Sequence, residues 1–387
     1  MSASVFALPS GYIDAHHHIW APETRGAEIG YGWLRDIGAA KPFGDPTPIQ
    51  RDYLMAEFLN EAKTRPRASV HVQTDGALPD PVAETAFVQA EADAAGHAVA
   101  IIGLADLSAP DLGDLLARHG SYPGFRGVRQ IVARLEGNPG LSFAPRDFLA
   151  DAKWREGLKR IEGLGLCFDL QLYPEQAGAA CEALAATPDL TVIIDHALSP
   201  HDASPAGFAR WKEAVAMMAA RPRTCIKLSG FGMFRPDWAE TGAFAPHIGH
   251  ILAEFGAGRV MWGSNYPVEK LAAHYETCLK VVADQVPDHD RKSVFFSHSN
   301  KYLQSKLNLV HNPRRAPCGW GLRRPPRQAP CAAARYGHRR CGYRHRHRGP
   351  RPGRATDRGS RPCRGAPGTR PAAGIRSARA RPPARSG

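Results

Sequence analysis

Asp14-Ala15-His16-His17-His18 sets three imidazoles side by side within the apolar run YIDAHHHIW, positions 12–20. Such a run reads as a β-strand, on which successive side chains point to opposite faces. The alternation predicts Asp14, His16 and His18 on one face and His17 on the other. Two imidazoles two residues apart on an inward face can chelate one metal ion or grip one substrate oxygen, because each neutral ring offers a lone pair. A chance cluster would have to place three adjacent histidines in an otherwise apolar strand.

Further polar side chains fall near the ends of other apolar runs. Arg126 and Arg129 lie in GFRGVRQIV (124–132) and, being three apart, cannot both face inward on a regular strand. Arg129 is nearer the carboxyl end and is expected to clasp a substrate carboxylate with its planar fork; the alternative is a salt bridge to a neighbouring loop. Lys227 and Ser229 share a face of RTCIKLSGF (223–231), with Lys227 one layer deeper. There Lys227 would stabilise a developing oxyanion or pair with Asp169. His71 and Gln73 share a face of ASVHVQTD (68–75), with Gln73 expected at the mouth and His71 read as a hydrogen-bonded core histidine. Trp20, Trp33 and Trp262 either wall a pocket or fill the core, and Tyr266-Pro267 turns the chain after GRVMWGSN.

These residues need a frame that brings strand ends together. The runs at 12–20, 68–75, 98–107, 124–132, 165–172, 190–198, 223–231 and 258–267 are short and apolar. Between them lie segments such as 81–96, 154–165 and 208–220, with apolar residues at i, i+3, i+4 and i+7. Eight strands alternating with helices predict an α/β fold, a (β/α)8 TIM barrel over 1–308, whose chemistry lies at the carboxyl ends of the strands. The Gly- and Pro-rich segment 21–50 after the first strand is long enough to form a lid or substrate wall.

The pieces IDAHHHIW, VHVQ, GFRGVR, IIDHA, IKLSG and MWGSNYPVEK stand in order along 12–303. In them the chain resembles the amidohydrolase superfamily, in the branch of metal-dependent hydrolases that holds sugar lactonases and 2-pyrone-4,6-dicarboxylate lactonase. The resemblance implies His16 and His18 as the first-strand pair, His196 as the sixth-strand histidine, and Asn265 where the family carries an acid. Neutral Asn cannot take a proton from water, and the fifth strand ends in Leu170-Gln171-Leu172-Tyr173 without the His of two-metal relatives. The resemblance therefore implies at most one divalent cation, zinc or manganese, on His16, His18 and His196. A metal-free site is the alternative, with the histidines polarising the carbonyl and His196, held by Asp195, as base; so is a binding protein or weakened enzyme. The implied activity is hydrolysis of a small carboxylated or polyhydroxylated lactone. Catalytic roles fall to His16, His18, His196 and Asn265, and substrate contacts to Arg129, Gln73, Lys227, Ser229, Trp20 and Tyr266. A decarboxylase of an aromatic or enol acid is the nearest rival, and Asn265 and Leu172 count against it.

The whole chain of 387 residues carries a net charge of +13, but the charge is unevenly spread. Residues 309–387 hold 21 Arg and one Asp, with no Lys or Glu, a net +20 that leaves 1–308 at −7. An Arg/Pro/Gly/Ala stretch with so few large apolar residues is expected to be disordered. Arg, Pro, Ala and Gly are all encoded by GC-rich codons, so a GC-rich gene translated in a shifted frame beginning near Asn308 would give this composition. The alternative is an authentic basic arm for nucleic acid or anionic membrane, and only Trp320, Tyr336 and Tyr343 are there to stack on bases. No CxxC pair exists, and no signal-like or bilayer-length apolar segment is present, so a cytoplasmic enzyme acting on a small molecule is expected. The sequence leaves its oligomeric state open.

Overall fold

The computed structural model describes residues 11–39 and 41–297. The expected disordered tail at 309–387, with Trp320, Tyr336 and Tyr343, lies outside the described residues.

Eight strands form one parallel sheet in chain order: β1 (Ile13–His17), β2 (Ala68–Val72), β3 (Ala98–Leu104), β4 (Phe125–Arg129), β5 (Cys167–Leu170), β6 (Val192–Ile194), β7 (Thr224–Leu228) and β8 (Val260–Trp262). The expected (β/α)8 barrel is present. Its last seam is short: a parallel bridge joins His17 to Tyr266, Asn265 N–H donates to His16 O at 2.7 Å, and His18 N–H donates to Tyr266 O at 2.7 Å. Gly263 permits this approach, because a Cβ there would stand 2.5 Å from the Cβ of His16. The seam therefore holds the His16–His18 segment directly against the end of β8.

Both faces of a parallel barrel are covered, so its strands are apolar on both sides. Ala15, Val70, Ile102, Ile193 and Met261 fill the interior floor. Phe125, Phe168, Ile194 and Leu228 pack with the helical layer, where Trp154 and Trp211 are fully buried. Of the periodic segments, 81–96 forms the helix Pro81–Ala95, with Asp80 accepting from Val82 N–H at its start and Gly96 at φ 60° at its end. Segment 208–220 lies in the helix Pro205–Ala219, and 154–165 in Ala152–Gly163. Helices at Leu112–His119 and Tyr275–Gln285 were not singled out from the sequence. Among the described residues no helix is long and apolar enough to cross a membrane, and the four described cysteines are free.

The phase of the first strand differs from simple alternation. The β1–β2 register shifts between Asp14 and His17, and a bulge resets which side chains face inward. Ala15 takes the interior, while Asp14 accepts from Tyr275 Oη at 3.0 Å, Ser264 N–H at 2.9 Å and His16 N–H at 3.0 Å. Asp14 therefore does not share a face with His16 and His18. On β2 the interior belongs to Val70 and Val72, and His71 lies among His17, Glu84 and the Ile19 amide.

Candidate active site

Above the apolar floor, strands β4 to β7 contribute a buried charged layer. Lys227 Nζ donates to Asp169 and lies 3.0 Å from Asp195 Oδ1. Arg129 donates from Nη1 to Asp195 Oδ2 at 3.3 Å and from Nη2 to Gln73 O at 2.5 Å, with Gln171 Oε1 at 3.4 Å. Burial opposes ionisation of Asp195, but Lys227, His16 and Arg129 outweigh it and hold the carboxyl well below its usual range. Burial likewise opposes the Lys227 ammonium, and the two carboxylates more than compensate, raising its pKa. Of the two sequence expectations for Lys227, the structure gives the pairing with Asp169. Arg129 is engaged by Asp195, Gln73 and Gln171 through its Nη atoms, while its Nε has no partner among the described residues.

The histidines stand on this layer. His18 Nδ1 lies 2.7 Å from Val72 O; a carbonyl only accepts, so the proton sits on Nδ1 and the lone pair on Nε2. His16 Nδ1 lies 3.3 Å from Asp195 Oδ1 and 3.4 Å from Lys227 Nζ; the ammonium is shared with Asp169 and Asp195, and the nearer carboxylate favours the His16 proton on Nδ1. The two Nε2 atoms then face each other 3.3 Å apart. Burial drives the pKa of His16 well down and those of His18 and His196 to about 3, so all three rings are neutral at neutral pH. Two facing lone pairs repel unless a proton donor or a cation lies between them. Two zinc–nitrogen bonds of about 2.0–2.1 Å at a tetrahedral angle separate their nitrogens by about 3.3–3.4 Å. The His16–His18 pair thus fits a single metal ion, with Val72 O and Asp195 as the outer contacts that such ligands use to fix their tautomers.

His196 arrives by a strained turn. After β6 the chain runs through left-handed φ at His196, Ala197, Leu198 and Ser199 (52°, 52°, 58° and 46°), with Trp211 Nε1 donating to Ala197 O at 2.8 Å. Gly230, at φ 68°, leaves room for the ring, since a Cβ there would lie 2.5 Å from His196 Nδ1. Nδ1 lies 3.2 Å from Ser229 Oγ. Ser229, rather than Asp195, orients this histidine. His16, Asp195 and His196 each offer a ligand atom within 4.8 Å of the others.

A cavity of about 1150 Å³ opens over the strand ends. His18, His196, Asn265, Arg129, Gln171 and Trp20 reach it, and segment 21–50 contributes Trp33, Lys41 and Phe43, as expected of a substrate wall. His16, Lys227 and Ser229 lie one layer deeper, fully or almost fully buried. Gln73 and Tyr266 are not on the described cavity wall: the Gln73 main-chain carbonyl accepts from Arg129, and the Tyr266 hydroxyl donates to Ala273 O at 2.7 Å. On β2 the interior belongs to Val70 and Val72, which turns Gln73 away from the cavity, and the Tyr266 backbone is taken up by the seam with β1. Trp262 is core, edge-on to Tyr12 and Tyr275. Gln171, which the sequence reading passed over, is the inward residue at the end of β5; Leu172 beside it is buried away from the cavity.

Residues 13–296 match the amidohydrolase family. The chain belongs to that family. It is 34% identical over 265 residues to the uncharacterized protein y4mH of Sinorhizobium fredii, covering 68% of this chain and 87% of that protein. It is 30% identical over 286 residues to an L-fucono-1,5-lactonase of Burkholderia multivorans, covering 70% and 86%. Its fold superposes on a zinc-bound amidohydrolase of Burkholderia multivorans with TM-score 0.61 at 25% identity, covering 76% of this chain and 99% of that one.

In this amidohydrolase the eighth-strand position is Asn265, held at φ 57°, a conformation that Asn tolerates better than most side chains. A second carboxyl lies behind it. Glu269 is buried, accepts from Gly232 N–H at 2.7 Å through Oε1, and faces Asn265 and Trp238 with Oε2. Oε2, Asn265 Nδ2 and Trp238 Nε1 close no full hydrogen bond among themselves. Burial raises the Glu269 pKa to about 7. The only sequence signal for Glu269 was its place four residues after Asn265.

Proposed function

We propose that this amidohydrolase opens the ring ester of a small lactone by attack of water on the carbonyl, with one divalent cation, zinc or manganese, held by His16, His18 and His196. The observation that carries this reading is the 3.3 Å separation of the His16 and His18 Nε2 atoms, with His18 Nδ1 against Val72 O and His16 Nδ1 against Asp195. The lactonase relative and the zinc-bound neighbour support it. A bound cation would polarise the ester carbonyl and acidify water enough to dispense with a carboxylate base.

The remaining work belongs to the chain's own residues. Lys227 and Arg129 keep Asp195 ionised against His16 Nδ1, so His16 holds its proton there and its lone pair on Nε2. Asn265, neutral at any ordinary pH, accepts a hydrogen bond from the attacking water and aims it without taking its proton. Ser229 fixes the ring of His196. Trp20 contributes a wall, its indole N–H being satisfied by Arg51 O at 2.9 Å.

Metal analysis of full-length protein purified without chelators, paired with proton release from δ-valerolactone, tests the proposal. One equivalent of metal and turnover above the spontaneous rate are expected. Retained hydrolysis with near-zero metal would remove the cation and transfer the proton-accepting role to His196. A folded protein silent on every lactone would refute the hydrolase reading.

A further inference from the structure

We infer that the substrate is a neutral lactone carrying an apolar arm, alkyl or aryl, rather than a polyhydroxylated or polycarboxylated one; this rests on the lactonase reading above. At about 1150 Å³ the cavity exceeds the roughly 300–1,000 Å³ of pockets that hold drug-sized ligands. Polar groups of the strand ends, His18, His196, Arg129, Gln171 and Asn265, line it, and so do the carboxylates of Asp75, Asp106, Asp111 and Asp114. The apolar side chains on its wall include Trp33, Phe43, Leu104, Leu115, Phe143 and Phe148. Trp20, Trp33 and Phe43 meet edge to face, with ring centroids 5.6 and 6.1 Å apart. The Trp33 indole N–H is taken by Thr74 O at 3.1 Å, so this wall presents hydrocarbon. Phe143 is 43% exposed, a large apolar side chain at the mouth without cover.

A polyol would need a polar partner for each hydroxyl, and leaving them unmatched in such a wall is costly. Among the described buried side-chain atoms on the cavity wall, Thr74 Oγ1, Asp75 Oδ2, Arg129 Nε and Asn265 Nδ2 lack partners, and of these residues Thr74 adjoins Trp33 directly. Charge excludes the other class. The cavity wall carries Asp75, Asp106, Asp111 and Asp114, while Arg118 is paired with Asp80 and Lys41 lies 3.8 Å from Asp36. Such a mouth repels polycarboxylates, and Arg129, the cation inside, is already neutralised by Asp195.

The test uses full-length protein with two matched series. Turnover is measured on δ-lactones bearing alkyl chains of increasing length, on dihydrocoumarin and on a hexonolactone. Binding is measured on the corresponding δ-lactams, which resist hydrolysis, by calorimetry. The inference predicts that kcat/KM and lactam affinity rise with each added methylene, up to about fourfold where it is fully buried, and that the hexonolactone lies at least tenfold below the longest alkyl lactone. Trp33→Ala should flatten the chain-length gradient. Phe143→Ser, at an exposed position that leaves the fold intact, should flatten its outer end. A flat gradient, or preference for the hexonolactone, overturns the inference and leaves the lactonase reading standing. A steep lactam gradient without turnover of any lactone supports the apolar arm and overturns the hydrolase reading. Absence of both overturns both.

Discussion

Glu269 N–H donates to Asn265 O at 3.0 Å, and the buried Glu269 carboxyl lies behind the Asn265 amide. The carboxyl missing from position 265 is thus present one helical turn later, outside the cavity wall. Asn265→Asp would set two carboxyls against each other in a buried site, where each raises the pKa of the other. The substitution is expected to destabilise the protein by about 1–3 kcal/mol at pH 8 and to bring no gain in rate. Adding Glu269→Gln should recover most of that loss. Urea unfolding of the two single variants and the double variant checks the coupling, and additive losses would show that the two side chains do not interact.

Asp195 joins Lys227, Arg129 and His16 in one buried network. Asp195→Asn leaves two buried cations short of a counter-charge, which typically costs about 3–5 kcal/mol. It also removes the acceptor that directs the His16 proton, so metal affinity should fall about 10- to 100-fold, the usual effect of losing such an outer contact. Chemical denaturation and metal titration measure the two effects separately.

Burial raises Glu84 from 4.5 to about 8 and Glu269 from 4.5 to about 7. A carboxyl that binds its proton more tightly when folded contributes stability in full below its unfolded pKa and loses it as pH rises through the folded value. Both contributions should therefore disappear between about pH 4.5 and pH 8. Glu84→Gln keeps an acceptor for Thr74 N–H, now at 3.0 Å, and should flatten this decline by about 1.4 kcal/mol per pH unit within that window. Tm measured from pH 5 to 9 for both proteins checks the slope.

Every described residue on the cavity wall falls between His18 and Val268. Deleting residues 309–387 is therefore expected to leave kcat/KM unchanged within about twofold. A larger loss would make the Arg-rich stretch part of the working protein.

The barrel was legible because eight apolar runs and the amphipathic segments between them repeat with the right spacing, and the His16–His18 pair because three adjacent imidazoles stand out in an apolar strand. The face assignments were less legible. Alternation assumes a regular strand, and the register shift between Asp14 and His17 sent Asp14 to Tyr275 while Ala15 took the interior. Arg129 illustrates another limit: its position at the strand end was readable, whereas its engagement by Asp195 depends on a residue 66 positions away. Ser229 was placed near the site, but its pairing with His196 depends on a left-handed turn that residue types alone do not specify. Glu269 had no chemical neighbours in the sequence to mark it.

The most direct test is the rate of proton release from a preferred lactone by full-length protein and by His18→Ala, with metal content measured on the same samples. His18 lines the cavity and supplies one of the two facing Nε2 atoms. Its loss should lower kcat/KM by at least about 10²-fold, on the scale of removing a group that stabilises the transition state, and should reduce bound metal while the fold survives. Undiminished turnover by a folded His18→Ala protein would contradict the assignment of the active site to the His16–His18 pair.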